Sequence, residues 1–229
     1  MTVLLSDTFT RANSATVGGG WTEVEGTGAT VEISSNTCLF DSSDNTMEPI
    51  LKQAFTAQTS GTLTWSFDFN WERTGDEGGY RLHMQLGDSA SLSDSDLDAG
   101  VGVSLIWTSI SSVHESFGSR DGGTNTSIKV VSGAATIDVT VDVTGQTYDV
   151  DIDSVSEATD VAFDAAITSI DTVRYFCDAL NTENFAGNYF DNINISSAES
   201  GRIMGAIAGR GGLAGHGGIA GIGGGIAGD

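Results

Sequence analysis

The nearest approach to a catalytic pair in this sequence is Asp151-Ile-Asp153-Ser-Val-Ser-Glu157. Retaining glycosidases hold two carboxyl groups about 5 Å apart, and acidic residues alternating along a strand share the face on which such a pair forms. The run belongs to a longer one, in which Asp138, Asp142, Asp149, Asp151 and Asp153 alternate with apolar residues. That periodicity describes the solvated face of an acidic hairpin, and no catalytic residues are expected from it. His83, His114 and His216 are far apart in sequence, and no serine, histidine or lysine sits in a G-x-S-x-G, H-E-x-x-H or phosphate-cradling context.

Binding chemistry is better represented. Asp68 and Asn70, with Arg81, His83 and Gln85, occupy the polar parity of two strand-like runs and can exchange hydrogen bonds with sugar hydroxyls. Trp65, Trp71 and Trp107 lie on the opposite, apolar parity and are expected in the core. In the acidic loop, Asp94, Asp96 and Asp98 present hard oxygen ligands suited to calcium. The match to an EF-hand loop is partial, because Gly100 falls one place late and Leu105 stands where a bidentate Glu belongs.

The elements that must carry these side chains are strands. In residues 62–71, Leu63, Trp65, Phe67, Phe69 and Trp71 share one face while Thr64, Ser66, Asp68 and Asn70 share the other. Residues 80–86 alternate likewise, and the intervening charged, glycine-rich turn makes the two read as a hairpin. Strands follow at 101–107 and 128–131, giving a meander. A second hairpin spans 135–143 and 148–152, and 173–177 and 189–195 complete the set. Residues 158–166 are the one stretch of helix-compatible composition. Many strands and almost no helix predict an all-β, antiparallel two-sheet sandwich over residues 1–197.

Nine Lys plus Arg against 31 Asp plus Glu give a net charge of -22, which repels phosphate backbones and anionic lipids, so neither nucleic acid nor a membrane is an expected partner. Such acidity suits a saline medium. The opening MTVLLSDTF has no basic n-region or long apolar run, so export through a secretory leader is not expected. Cys38 and Cys177 sit in strand-like runs and read as buried free thiols.

Asp7-Thr-Phe-Thr-Arg-Ala-Asn13 with Gly20-Trp21-Thr22, and Tyr189-Phe-Asp-Asn-Ile-Asn-Ile195, resemble the two ends of the laminin-G-like branch of the concanavalin A-like lectin/glucanase superfamily. The resemblance covers residues 5–197. It implies a jelly roll whose opening and closing strands pair, a sheet face that carries a glycan site, and a calcium ion near the paired termini, for which Asp7 and Asp191 are the candidates. Such domains occur in bacteriophage virions, bacterial surface proteins and polysaccharide-active enzymes. Against the glucanase pattern E-x-D-x-x-E, the sequence has Asp151 at the first position and Glu157 one residue too late.

Residues 198–229 form a glycine-rich tail in which Gly209, Gly212, Gly215, Gly218, Gly221 and Gly224 fall at every third position. Ile207, Leu213 and Ile219 recur every six residues, with Ile226 beyond them. Three residues per turn is the polyproline-II period, and an unpartnered segment of this kind has too few contacts to offset its ordering entropy. The tail is therefore expected to pack against copies of itself or a host particle; a flexible linker and a membrane-active segment are the competing readings. Together these features predict a non-enzymatic subunit of a larger assembly, a phage decoration or tail-fibre protein located in the virion, with a secreted polysaccharide-binding module or laminarinase-type hydrolase as the alternative.

Overall fold

Alternation decides the longest elements. Leu63, Trp65, Phe67 and Phe69 are each no more than 1 % exposed, whereas Thr64, Ser66, Asp68 and Asn70 between them reach solvent. The same period buries Ile137, Val139 and Val141 against outward Asp138, Thr140 and Asp142. Each buried aliphatic or aromatic side chain contributes about 1.5–3 kcal/mol.

The computed structural model describes residues 1–26, 28–42, 49–70, 80–92, 101–109, 115–121, 123–131, 133–179 and 185–198. These form fifteen strands and no α-helix: β1 (Thr2–Asp7), β2 (Thr22–Val24), β3 (Ala29–Ser34), β4 (Thr37–Ser42), β5 (Ile50–Gln58), β6 (Thr62–Asn70), β7 (Tyr80–Gly87), β8 (Val103–Ser109), β9 (Glu115–Asp121), β10 (Thr124–Lys129), β11 (Ala135–Asp142), β12 (Thr147–Ile152), β13 (Val155–Ala162), β14 (Ile170–Ala179) and β15 (Phe185–Ser197). One sheet runs β13-β12-β11-β6-β15-β4-β3, with β1 also paired to β15; the other runs β10-β9-β8-β7-β14-β5-β2. Aromatic contacts join the two across the core, among them Trp65 with Tyr175 at 6.1 Å and Phe69 with Trp107 at 5.9 Å. The expected antiparallel two-sheet sandwich is what the chain forms.

Two local expectations are corrected. Strands β6 and β7 are not a hairpin, since they lie in different sheets. Alternation identifies a strand without naming its partner, and the connection, residues 71–79, is longer than a hairpin loop. Residues 158–166 are not helical: their first half belongs to β13, paired to β12 through an irregular register with Asp160 at φ 54°. Pairing along an open edge overrides the modest helix preference of two alanines. The β11–β12 hairpin stands as expected, whereas the expected meander is only partly right: β7 to β10 do run consecutively, but through β9, a strand not expected, and β10 ends at Lys129 instead of filling 128–131. Cys38 and Cys177 are buried thiols not joined in a disulfide. Trp71 lies outside the described residues.

The opening and closing motifs have local physical reasons. Asp7 pairs in register with Ile193, and its Oδ1 accepts the Phe9 amide at 2.7 Å, an Asx turn that lets Phe9 adopt φ 49° and enter the core. In the closing motif Phe190 and Ile193 are buried, and between them the strand bulges. Asn192 takes φ 50°, a conformation Asn tolerates better than most residues.

Candidate functional site

The split between β6 and β7 divides the five expected sugar-binding residues between opposite sides of the sandwich. Arg81, His83 and Gln85 lie on the outward parity of β7, yet His83 and Gln85 are each 1 % exposed. The Gln85 Oε1 accepts from Arg174 Nε at 2.9 Å and from its Nη2 at 2.5 Å, while Gln85 Nε2 donates to Ser104 Oγ at 3.4 Å. His83 stacks on Phe176 at 4.2 Å and 8°, and the Arg174 guanidinium lies 5.0 Å from the same ring. The centre of the seven-stranded sheet is thus a buried polar network on its outward side as well as an apolar core on its inward one. The sequence carries a signal for this: Leu105-Ile106-Trp107 and Tyr175-Phe176-Cys177 are apolar at both parities, as strands covered on both faces are.

Asp68 and Asn70 face outward from the eight-stranded sheet, where cross-strand register builds rows of short polar side chains. Thr136 of β11 stands opposite Asp68 of β6, which stands opposite Asp191 of β15, and Asp153 flanks Thr136 on the far side. The next rows are Asp151, Asp138, Ser66 and Asn194, then Asp149, Thr140, Thr64 and Ser196. At the first row the surface sinks into an open cleft of about 370 Å³, lined by Thr37, Asp68, Thr136, Asp153, Tyr189 and Asp191 over a floor that includes Phe69. Asp68 accepts from the Thr136 hydroxyl at 2.8 Å and the Asn192 amide at 2.6 Å, and Asp153 accepts the Thr136 backbone N–H at 3.0 Å. These bonds fix the carboxylates and leave further lone pairs facing the cleft.

Partial burial, then the neighbouring Asp68 and Asp7 charges, push the Asp191 carboxyl above its ordinary value against the pull of the Asn192 amide. Asp138 is raised for the same kind of reason, burial first and then Asp151 and Asp68. Like charges directly opposite on adjacent strands are destabilising by about 0.2–1 kcal/mol. Asp138→Asn is accordingly expected to raise stability by about 0.5 kcal/mol, read as an increased denaturation midpoint at neutral pH. A lowered midpoint would contradict the repulsion.

The calcium candidates fare unevenly. Both Asp7 oxygens are committed to protein donors: Arg11 Nη1 and Nη2 at 2.9 Å each, Trp21 Nε1 at 2.8 Å and the Phe9 amide. Burial alone would raise the Asp7 carboxyl, but the Arg11, Phe9 and Trp21 hydrogen bonds and the Arg11 charge together hold it below its ordinary value. Asp7 therefore acts as a latch between the first strand and Trp21, and Asp191 faces Asp68 instead. Among the described residues no group of three or more His, Cys, Asp or Glu side chains could hold a metal ion. Asp94, Asp96 and Asp98 lie outside the described residues, as do Ile207, Leu213, Ile219 and Ile226. In the glucanase-like run, Glu157 is paired with Lys129 at 2.8 Å.

The expected sugar-binding residues included no aromatic side chain, and the cleft supplies one in Tyr189. Its signal was parity: Phe190 is core, so Tyr189 must face outward, beside Asn70 in the register.

No family model matches the sequence, and no curated protein is significantly similar to it. Solved structures share the architecture. A sialidase superposes with a TM-score of 0.66 at 13 % identity, over 86 % of this chain and 19 % of its own, so the chain spans a small part of that protein. The CBM2 module of the evolved Dit of Lactobacillus casei BL23 phage J-1 gives 0.59 at 10 % identity, over 85 % of this chain and 94 % of the module. The carbohydrate recognition domain of Emp47p gives 0.55 at 16 % identity, over 86 % and 95 %. At these identities the likeness shows the fold, a sandwich that serves in carbohydrate-binding domains, one of them from a phage.

Proposed function

We propose that the sandwich is a non-enzymatic glycan-binding domain whose sugar sits in the cleft beside Asp68. The observation that carries this reading is the cleft itself: an open hollow on a sheet face, holding carboxylate and hydroxyl groups fixed by their own hydrogen bonds and one half-buried aromatic ring. Sugar hydroxyls donate to Asp68, Asp153 and Asp191, and the apolar face of a pyranose packs against Tyr189. The carbohydrate-binding domains among the structural neighbours support the assignment.

In the full chain the domain serves as the outward part of a larger assembly, a phage decoration or tail-fibre protein of the virion, which the glycine tail anchors or oligomerises. The regular placing of Ile207, Leu213 and Ile219 in that tail supports a packed role over a linker.

A glycan array followed by titration calorimetry tests the site. Asp68→Ala and Tyr189→Ala are each expected to weaken the best ligand at least about ten-fold, equivalent to about 1.4 kcal/mol. Absence of any glycan ligand, or unchanged affinity in both variants, would remove the assignment. Gel filtration of the full chain and of a chain ending before residue 201 tests the tail: a larger species that collapses to a monomer on truncation is expected, and identical monomers would rule out the assembly role.

A further inference from the structure

The cleft shares the outward face of the eight-stranded sheet with a second hollow. The second, of about 230 Å³, is lined by Thr62, Thr140, Asp142, Thr147, Asp149 and Asp160. Strand β11 connects them, contributing Thr136 to the first hollow and Thr140 and Asp142 to the second. From Thr136 to Asp142 the strand advances about 20 Å at the usual rise per residue, a length no single sugar ring covers. The outward residues between the hollows are short: Asp138 with Ser66 and Asp151 in one row, Thr140 with Thr64 in the next. No long or aromatic side chain stands among them to divide the strip. Thr140 is exposed and open to contact.

We propose that the ligand of this face is an extended glycan chain lying along β11 and filling both hollows, built of sugars without acidic groups. The inference rests on the glycan-binding reading above and adds the form and charge of the ligand. A site for a terminal sugar needs one hollow. Two hollows of matching hydroxyl and carboxylate lining, joined by a low polar strip, suit a repeating polymer that presents the same groups at intervals. Uronates and sulfated sugars would meet Asp68, Asp138, Asp149 and Asp151 with no described cation of this strip to receive them, which Coulomb repulsion opposes.

The test is calorimetry on the full chain with cello-oligosaccharides, glucosamine oligomers and alginate oligomers, each as dimer and hexamer. In one of the first two series the hexamer is expected to bind at least about ten-fold tighter than the dimer. Thr140→Tyr, which places a ring in the second hollow at an exposed strand position where tyrosine is well tolerated, should abolish that gain, so that the hexamer binds no tighter than the dimer. Thr140→Ser serves as the control for folding. Equal affinity of dimer and hexamer, or a hexamer indifferent to Thr140→Tyr, overturns the extended chain while the one-hollow reading stands. Tighter binding of the alginate hexamer overturns the charge assignment. Failure of all three series together with an empty glycan array removes the glycan reading itself.

Discussion

Asp7→Ala is expected to destabilise the protein by about 2–3 kcal/mol, because it strips partners from three donors at once and two of them cannot turn to water. The Trp21 indole N–H and the Phe9 amide are both held by this carboxylate, Trp21 is 7 % exposed and Phe9 is fully buried. Arg11 contributes less to the loss, since its side chain is 32 % exposed and can be rehydrated. For a domain of this size the thermal midpoint should fall by about 5–10 °C. Arg11→Met should cost less than Asp7→Ala; a larger cost would mean that the ion pair, and not the indole and amide bonds, holds the latch.

The same latch sets a pH dependence. The Asp7 carboxyl lies below its ordinary value of 3.8 in the folded protein, so the unfolded chain takes up the proton first as the solution is acidified. The latch is complete above that value and is lost as pH falls through the folded one. Asp138 and Asp191 act in the opposite sense: raised in the folded state, they oppose folding when charged, and protonation relieves them as pH falls through their raised values. Denaturation midpoints measured from pH 6 down to pH 2 should therefore fall less steeply in Asp7→Ala than in the wild type. Parallel curves would show that Asp7 is not the group responsible.

Much of the fold is legible in the sequence because period-two alternation is a local property. Leu63 to Phe69 and Ile137 to Val143 announce their strands without reference to anything else. Pairing is not local, and this is why the β6–β7 hairpin failed while the β11–β12 hairpin, closed by a short turn, held. Strand β5 escaped notice for a different reason. Its residues Ile50 and Leu51 are both buried and its later residues alternate poorly, so Ile50–Gln58 carries no clean period. For the site, parity placed Asp68 correctly and could have placed Tyr189, but it could not say that the outward side of β7 is closed. Burial on a second face depends on what covers a sheet, and a single strand's pattern registers that only when apolar residues occupy both parities, as at Ile106 and Phe176. Asp7 and Asn192 belong to the opening and closing motifs whose pairing the sequence suggests, while their roles, a latch and a bulge clamp, follow from hydrogen bonds that spacing alone does not encode.

The largest loss is expected at the centre of the core. Trp65 is fully buried, its ring lies 4.9 Å from Phe67, and its indole N–H donates to the Tyr175 hydroxyl at 3.0 Å across the two sheets. Burial drives the Tyr175 hydroxyl well above its ordinary pKa against the lowering pull of the Trp65 bond, so it stays protonated and accepts the indole N–H as a neutral group. Trp65→Ala removes both the packing and the bond and should cost about 4 kcal/mol. Tyr175→Phe keeps the packing but leaves the indole N–H without its acceptor in a dry interior, at about 1–3 kcal/mol. The informative measurement is the cycle with Trp65→Phe. If the inter-sheet bond is the coupling, Trp65→Phe with Tyr175→Phe should be less destabilising than the sum of the two single changes, because the double variant leaves no buried donor unmatched. Strict additivity would mean that the two rings stabilise the sandwich by packing alone.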